Sequence, residues 1–171
     1  GRSERGGGAE LHGLNGHARR WVDVGGTFTD CLAESPDGSQ FSTKVLSSAV
    51  TKGVLPEPAQ RNQFCDVGQS SKSPGFWNGV TVRFLNDSGE SFCQATVVDF
   101  QDGQFECDAL GALPAGTKYE LQSAISAPLL AMHSIINLPI QQTLPDCDLH
   151  LGTTRGTNAL LTRTGARTAL V

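Results

Sequence analysis

The run Val22-Asp23-Val24-Gly25-Gly26-Thr27-Phe28-Thr29-Asp30 gathers the residue types of a phosphate and metal site. It reads as a strand ending at a carboxylate, then a two-glycine turn, hydroxyls and a second carboxylate. A Gly-Gly turn lets backbone N–H groups converge into a nest that takes phosphate oxygens. A carboxylate beside such a nest holds hydrated Mg²⁺, directly or through water. On this reading Asp23 positions Mg²⁺, against the plain alternative of a turn-capping aspartate. Gly25, Gly26 and Thr27 cradle the terminal phosphates of a nucleotide, against an ordinary hairpin turn. Thr29 adds a hydroxyl. Asp30 is either a second acid near the metal or a surface residue. Lys44 either neutralises phosphate charge or is a solvated strand lysine. The cofactors expected are ATP and Mg²⁺.

A second segment, Gly152-Thr153-Thr154-Arg155-Gly156-Thr157-Asn158, leaves a strand and enters a helical stretch. Ligands gather at the carboxyl ends of strands in α/β sheets. Gly152 and Thr153 are candidate nucleotide contacts, and Thr154 is a candidate catalytic hydroxyl. Arg155 suits an anionic substrate or is a surface charge. Thr157 is a good N-cap, and Asn158 is a cap, a substrate contact or a structural hydrogen-bonder. No Ser-His-Asp grouping and no catalytic-cysteine signature can be assembled. His133 falls in an apolar run without partners at ligand spacing, so it reads as packed or surface-lying.

The elements that would position these residues follow from punctuation and period. Trp21–Val24, Thr29–Glu34 and Gln40–Leu46 read as three strands, with a turn at Ser35-Pro36-Asp37-Gly38 and Phe41, Thr43 and Val45 on one face. Residues 48–75 are rich in Ser, Pro, Gly and Gln and read as a linker. Residues 76–125 alternate in period two, with Asn86-Asp87-Ser88-Gly89 and Asp102-Gly103 as turns, and suggest a small β-barrel or sandwich of four strands. Phe76 and Trp77 open that stretch as packing aromatics. Ser126–Leu138 reads as a helix with Ser126 as N-cap and Pro128 in the first turn. Asp148–Gly152 is a strand, Ala159–Arg163 a short helix stopped by Gly165, and Arg167–Val171 a further strand. Residues 1–20, with six glycines, four arginines and no hydrophobic run, read as a disordered leader.

Composition narrows the partners. A chain of 171 residues with net charge −4 and no basic stripe is not built for nucleic acid or an anionic membrane. No apolar run approaches the ~20 residues of a membrane span. The five cysteines are scattered without zinc spacing, which implies free thiols in a reducing, cytoplasmic setting.

Two stretches together resemble one family. Asp23-Val24-Gly25-Gly26-Thr27-Phe28-Thr29-Asp30, with Lys44-Val45-Leu46-Ser47 behind it, looks like the opening motif of the hydantoinase A / 5-oxoprolinase family. Leu151-Gly152-Thr153-Thr154-Arg155-Gly156-Thr157-Asn158-Ala159-Leu160-Leu161 resembles the second motif of that family, and Gly165–Val171 its next strand. The resemblance covers residues 21–47 and 148–171, and 126–147 more loosely. It implies a ribonuclease-H-like N-terminal subdomain of an actin/Hsp70/sugar-kinase fold, formed by 21–47 and 126–171, with the β-rich middle inserted. It also implies ATP-dependent opening of a cyclic amide, 5-oxo-L-proline or a hydantoin, or else carboxylation of acetone or acetophenone. The implied partners are the remainder of a hydantoinase A chain and a hydantoinase B part. An actin-like site closes with a second subdomain, so this stretch alone is expected to be inactive. Outside the family, a small-molecule kinase sharing the Gly-Gly-Thr turn and a non-catalytic interaction module stay open.

Overall fold

The structure, a computed structural model, describes residues 18–163, apart from the side chains of Arg155, Asn158 and Leu160. The fold is mixed α/β and mostly strand, in two sheets with a helix between them. Among the described residues no helix is long and apolar enough to cross a membrane.

The first sheet begins as the expected meander: β1 (Arg19–Val24), β2 (Phe28–Glu34) and β3 (Gln40–Leu46) pair antiparallel in sequence order. Gly25 closes the first hairpin by donating its N–H to the Phe28 carbonyl at 3.0 Å. A Cβ on Gly25 would stand 2.8 Å from that same oxygen, so only glycine fits. The second hairpin turns at Ser35–Ser39, with Gly38 at φ 83°. The strand β10 (Asp148–Thr153) lies on the far side of β1 and runs parallel to it, giving the order β10-β1-β2-β3. A parallel neighbour needs a long crossover, and everything between Ser47 and Cys147 supplies it.

Strand alternation gives this sheet two unlike faces. Arg20, Val22 and Val24 of β1 and Thr29, Cys31 and Ala33 of β2 are buried. They pack under α1 (Ala127–Ile135) with Ala131, Met132 and Ile135. Asp23, Asp30 and Lys44 stand on the opposite, open face. Arg20 is fully buried, and among the described residues its guanidinium nitrogens have no hydrogen-bond partner. The reading of 1–20 as leader is corrected at its end, because Arg19 and Arg20 open β1 and Ala18 is buried beneath the sheet. Residues 1–17 lie outside the described residues.

The second sheet has six strands: the four expected within 76–125 and two more from 48–75. Its order is β4 (Val50–Val54), β9 (Lys118–Gln122), β6 (Thr81–Leu85), β7 (Ser91–Gln101), β8 (Gln104–Cys107) and β5 (Gln63–Cys65). The first half of β7 pairs with β6 and the second with β8, with an irregularity between Val97 and Asp99 where the strand turns the corner. The sheet curls on itself. Phe64 of edge strand β5 stacks on Phe105 at 4.4 Å and reaches Tyr119 of β9 at 5.3 Å, although their strands are far apart in the order. Phe76, Trp77, Phe84 and Phe100 complete this core. The stretch 48–75 is therefore not an irregular linker. It contributes β4, β5 and the buried Leu55, Ala59 and Phe64.

The helix α1 is shorter than expected. Ser126 occupies the N-cap position with extended backbone, but its hydroxyl caps nothing. The helix ends before Leu138 because Asn137 turns to φ 52°. Its amide then donates to the Ser71 carbonyl and accepts from the Ser73 N–H. A tertiary clamp, invisible in the periodicity, sets that end. The second helix, α2 (Arg155–Thr162), starts at Arg155 instead of Ala159, so Thr157 lies inside it and is not its cap. Gly165 and the strand expected at Arg167–Val171 lie outside the described residues.

Candidate functional site

Strand register draws the two motifs together. Asp23 stands opposite Asp30 on one side and Gly152 on the other, and Asp30 stands opposite Lys44. Register partners share a face, so Gly152, Asp23, Asp30 and Lys44 form one row across all four strands. Lys44 Nζ pairs with Asp30 Oδ1 at 2.6 Å and lies 5.2 Å above the Phe28 ring. This ion pair is half-exposed, so water screens it and it fixes geometry more than stability. Asp23 has no such cation in the row. A Cβ on Gly152 would meet Asp23 Oδ1 at 3.7 Å, an ordinary contact, so glycine there leaves open space beside the carboxylate.

The next row runs His150, Trp21, Leu32 and Ser42. The Trp21 and His150 rings stack at 5.6 Å with 13° between their planes. The two rows, apart from Lys44, line a shallow hollow of about 730 Å³ on the open face, within the size of ordinary small-molecule sites. It is acidic along one edge and aromatic along the other.

The carboxyl ends of β1 and β10 lie side by side. The Thr154 N–H donates to the Val24 carbonyl at 3.2 Å, and the Thr153 hydroxyl reaches the same oxygen at 3.4 Å. Thr153 and Thr154 therefore border the β1–β2 hairpin, and Gly152 borders Asp23. Thr157 is exposed on α2. The side chains of Arg155 and Asn158 lie outside the described residues.

Other candidates are placed differently. Thr29 is buried on the α1 face, where its hydroxyl meets Ser47 Oγ at 3.0 Å, so it does not share the face of Asp23 and Asp30. Ser47 in turn donates to the Gly25 carbonyl, and its N–H donates to the Thr27 carbonyl. The cradle expected at Gly25 needs correction, because its N–H serves the hairpin. Neither Gly25 nor Gly26 adopts the positive φ of a nest. Ser47 is the residue the motif reading passed over: it ties the hairpin to the end of β3, and no local pattern marks it. Trp21 and His150 were also overlooked, although each sits two residues before a candidate on the same strand face.

Among the described residues, no group of three or more His, Cys, Asp and Glu side chains could hold a metal ion unaided. Two facing carboxylates suit Mg²⁺, which keeps several waters and takes one or two carboxylates plus substrate phosphates. His133 is packed, with Nδ1 against the Leu138 carbonyl at 3.1 Å, and burial holds its pKa below the usual range. All five cysteines are free. Burial pushes the Cys31 thiol up to about 11 and the Cys107 thiol up to about 12, so neither is a ready nucleophile. No protein-family model, no curated protein and no solved structure matches the chain.

Proposed function

We propose that this chain is the N-terminal, metal-holding part of an ATP-dependent cyclic-amide hydrolase of the 5-oxoprolinase/hydantoinase type. The observation that carries the reading is the row Gly152–Asp23–Asp30–Lys44, which joins two motifs from opposite ends of the sequence. The element order, a three-strand meander, a helix, a parallel strand and a helix, is the order of a ribonuclease-H-like half, and that is the finer fold we propose. Asp23 and Asp30 would hold Mg²⁺, which neutralises phosphate charge when bound. Asp23 orients its waters, Lys44 steadies Asp30, and the Thr153–Thr154 corner borders the reacting end of the substrate. The open face of the first sheet is where the remainder of the protein would close. A cytoplasmic location and a hydantoinase B partner belong to the same proposal.

The test is ADP release by a protein carrying this chain, with 5-oxoproline, then hydantoins, then acetone as substrate. Release that depends on a cyclic amide is expected. Asp23→Asn should lower it by at least ~10²-fold with the fold intact, as loss of a charge-positioning group does. Release only with a ketone moves the reading to the carboxylases, and a phosphorylated product without ring opening moves it to a kinase. No binding of Mg-ATP would leave an interaction module.

A further inference from the structure

A groove of about 430 Å³ runs along β3 and β4 beside α1, where the two sheets meet. Its walls hold Lys44, Lys52 and Lys72, three of the four lysines in the chain, and no aspartate or glutamate. Two of these cations are matched elsewhere: Lys44 by Asp30 and Lys52 by Glu120, neither of which lines the groove. Lys72 is not. Among the described residues its Nζ meets no carboxylate within ion-pair reach. It donates to Ser134 Oγ and lies 4.8 Å above the Phe76 ring.

An ammonium carries three donors, and only one is engaged here. Burial holds the Lys72 ammonium below its ordinary pKa, the mark of a cation short of compensation. Val45, Val50 and Leu130 give the wall an apolar strip, beside the uncharged polar Thr43, Thr51 and Gln69. One uncompensated charge, a neighbouring hydroxyl and an apolar floor define a ligand with a single negative end and an apolar body.

We propose that the groove binds a small organic monocarboxylate, its carboxylate on Lys72 Nζ and Ser134 Oγ and its body against Val45, Val50 and Leu130. The groove shares Lys44 with the Asp23 row, where Asp30 holds that lysine, but the proposed contacts, Lys72 and Ser134, lie outside the row and do not depend on how it is read. Phosphate alone would satisfy the charge and forgo the apolar wall.

The experiment titrates the chain with phenylacetate, by calorimetry and by Trp77 fluorescence, against the uncharged phenylacetamide and inorganic phosphate. Saturable binding of phenylacetate is expected, with the amide at least about tenfold weaker, the scale of a lost charged hydrogen bond. Lys72→Met should weaken phenylacetate binding by a similar factor, and Lys52→Met at the exposed rim should leave it unchanged. Where Lys72→Met fails to fold, Ser134→Ala serves, with weaker binding expected. The proposal is overturned by equal binding of acid and amide, by tighter binding of phosphate, or by folded Lys72→Met or Ser134→Ala binding as the parent does. Absence of saturation up to ~10 mM also overturns it, that being the weakest affinity a specific site would show.

Discussion

Gly53→Ala is the sharpest test of the packing in the second sheet. Gly53 faces Tyr119 across β4 and β9, and a Cβ there would lie 2.3 Å from Tyr119 Cζ. The ring cannot step aside. It is 1 % exposed, packed against Phe64, and its hydroxyl donates to Asp66 Oδ2. Overpacking costs about 1–3 kcal/mol, and loss of a hydrogen bond to a charged acceptor adds about 1.5–3 kcal/mol. Gly53→Ala should therefore destabilise by about 3–5 kcal/mol, lowering Tm by roughly 10 °C at this chain length. Tyr119→Ala should cost about 3–5 kcal/mol by itself. With the ring gone, alanine at 53 meets open space and gains about 0.5–1 kcal/mol over glycine in a strand. The double variant should then be no worse than Tyr119→Ala, a coupling of about 3 kcal/mol or more. Urea denaturation of the four proteins by circular dichroism measures this. A Gly53→Ala protein within about 1 kcal/mol of the parent, or costs that simply add, would refute the reasoning.

Three further outcomes are expected. Arg20→Met removes a buried charge that has no partner among the described residues and roughly keeps the volume, so it should stabilise by about 1–3 kcal/mol in denaturant titration. It should also slow alkylation of Cys31, whose thiol Arg20 pulls down; destabilisation would contradict the account. His133 has a folded pKa below its ordinary value of 6.5, so below that pH the unfolded chain binds more protons than the folded one. Stability should be full above about pH 6.5 and fall as pH drops below it, and His133→Gln should flatten that slope. Gly152→Ala meets Asp23 only at contact distance, so it should hold stability within about 0.5 kcal/mol while weakening Mg-ATP binding by the intact protein; equal loss of both would make Gly152 structural.

The meander was legible because its signals are local. Arg20, Val22 and Val24 alternate with Trp21 and Asp23, and Gly25 and Gly38 sit where turns demand glycine. What escaped was decided at long range. The strand β4 contains a glycine that looks like a breaker, and it pairs as a strand because the Tyr119 ring fills the space its side chain lacks. The strand β5 is three residues long and holds its place through Phe64. The burial of Thr29 and the role of Ser47 depend on the end of β3 folding back on the hairpin, which no local pattern encodes.

The helix α1 belongs to both cores. Ala127 and Leu130 pack into the aromatic core of the second sheet, while Ala131, Met132 and Ile135 pack under the first. Neither sheet keeps a complete interior when that helix leaves. The two halves are thus thermodynamically coupled: a denaturant or heat titration should show one cooperative transition, with the tryptophan in each half, Trp21 and Trp77, reporting the same midpoint.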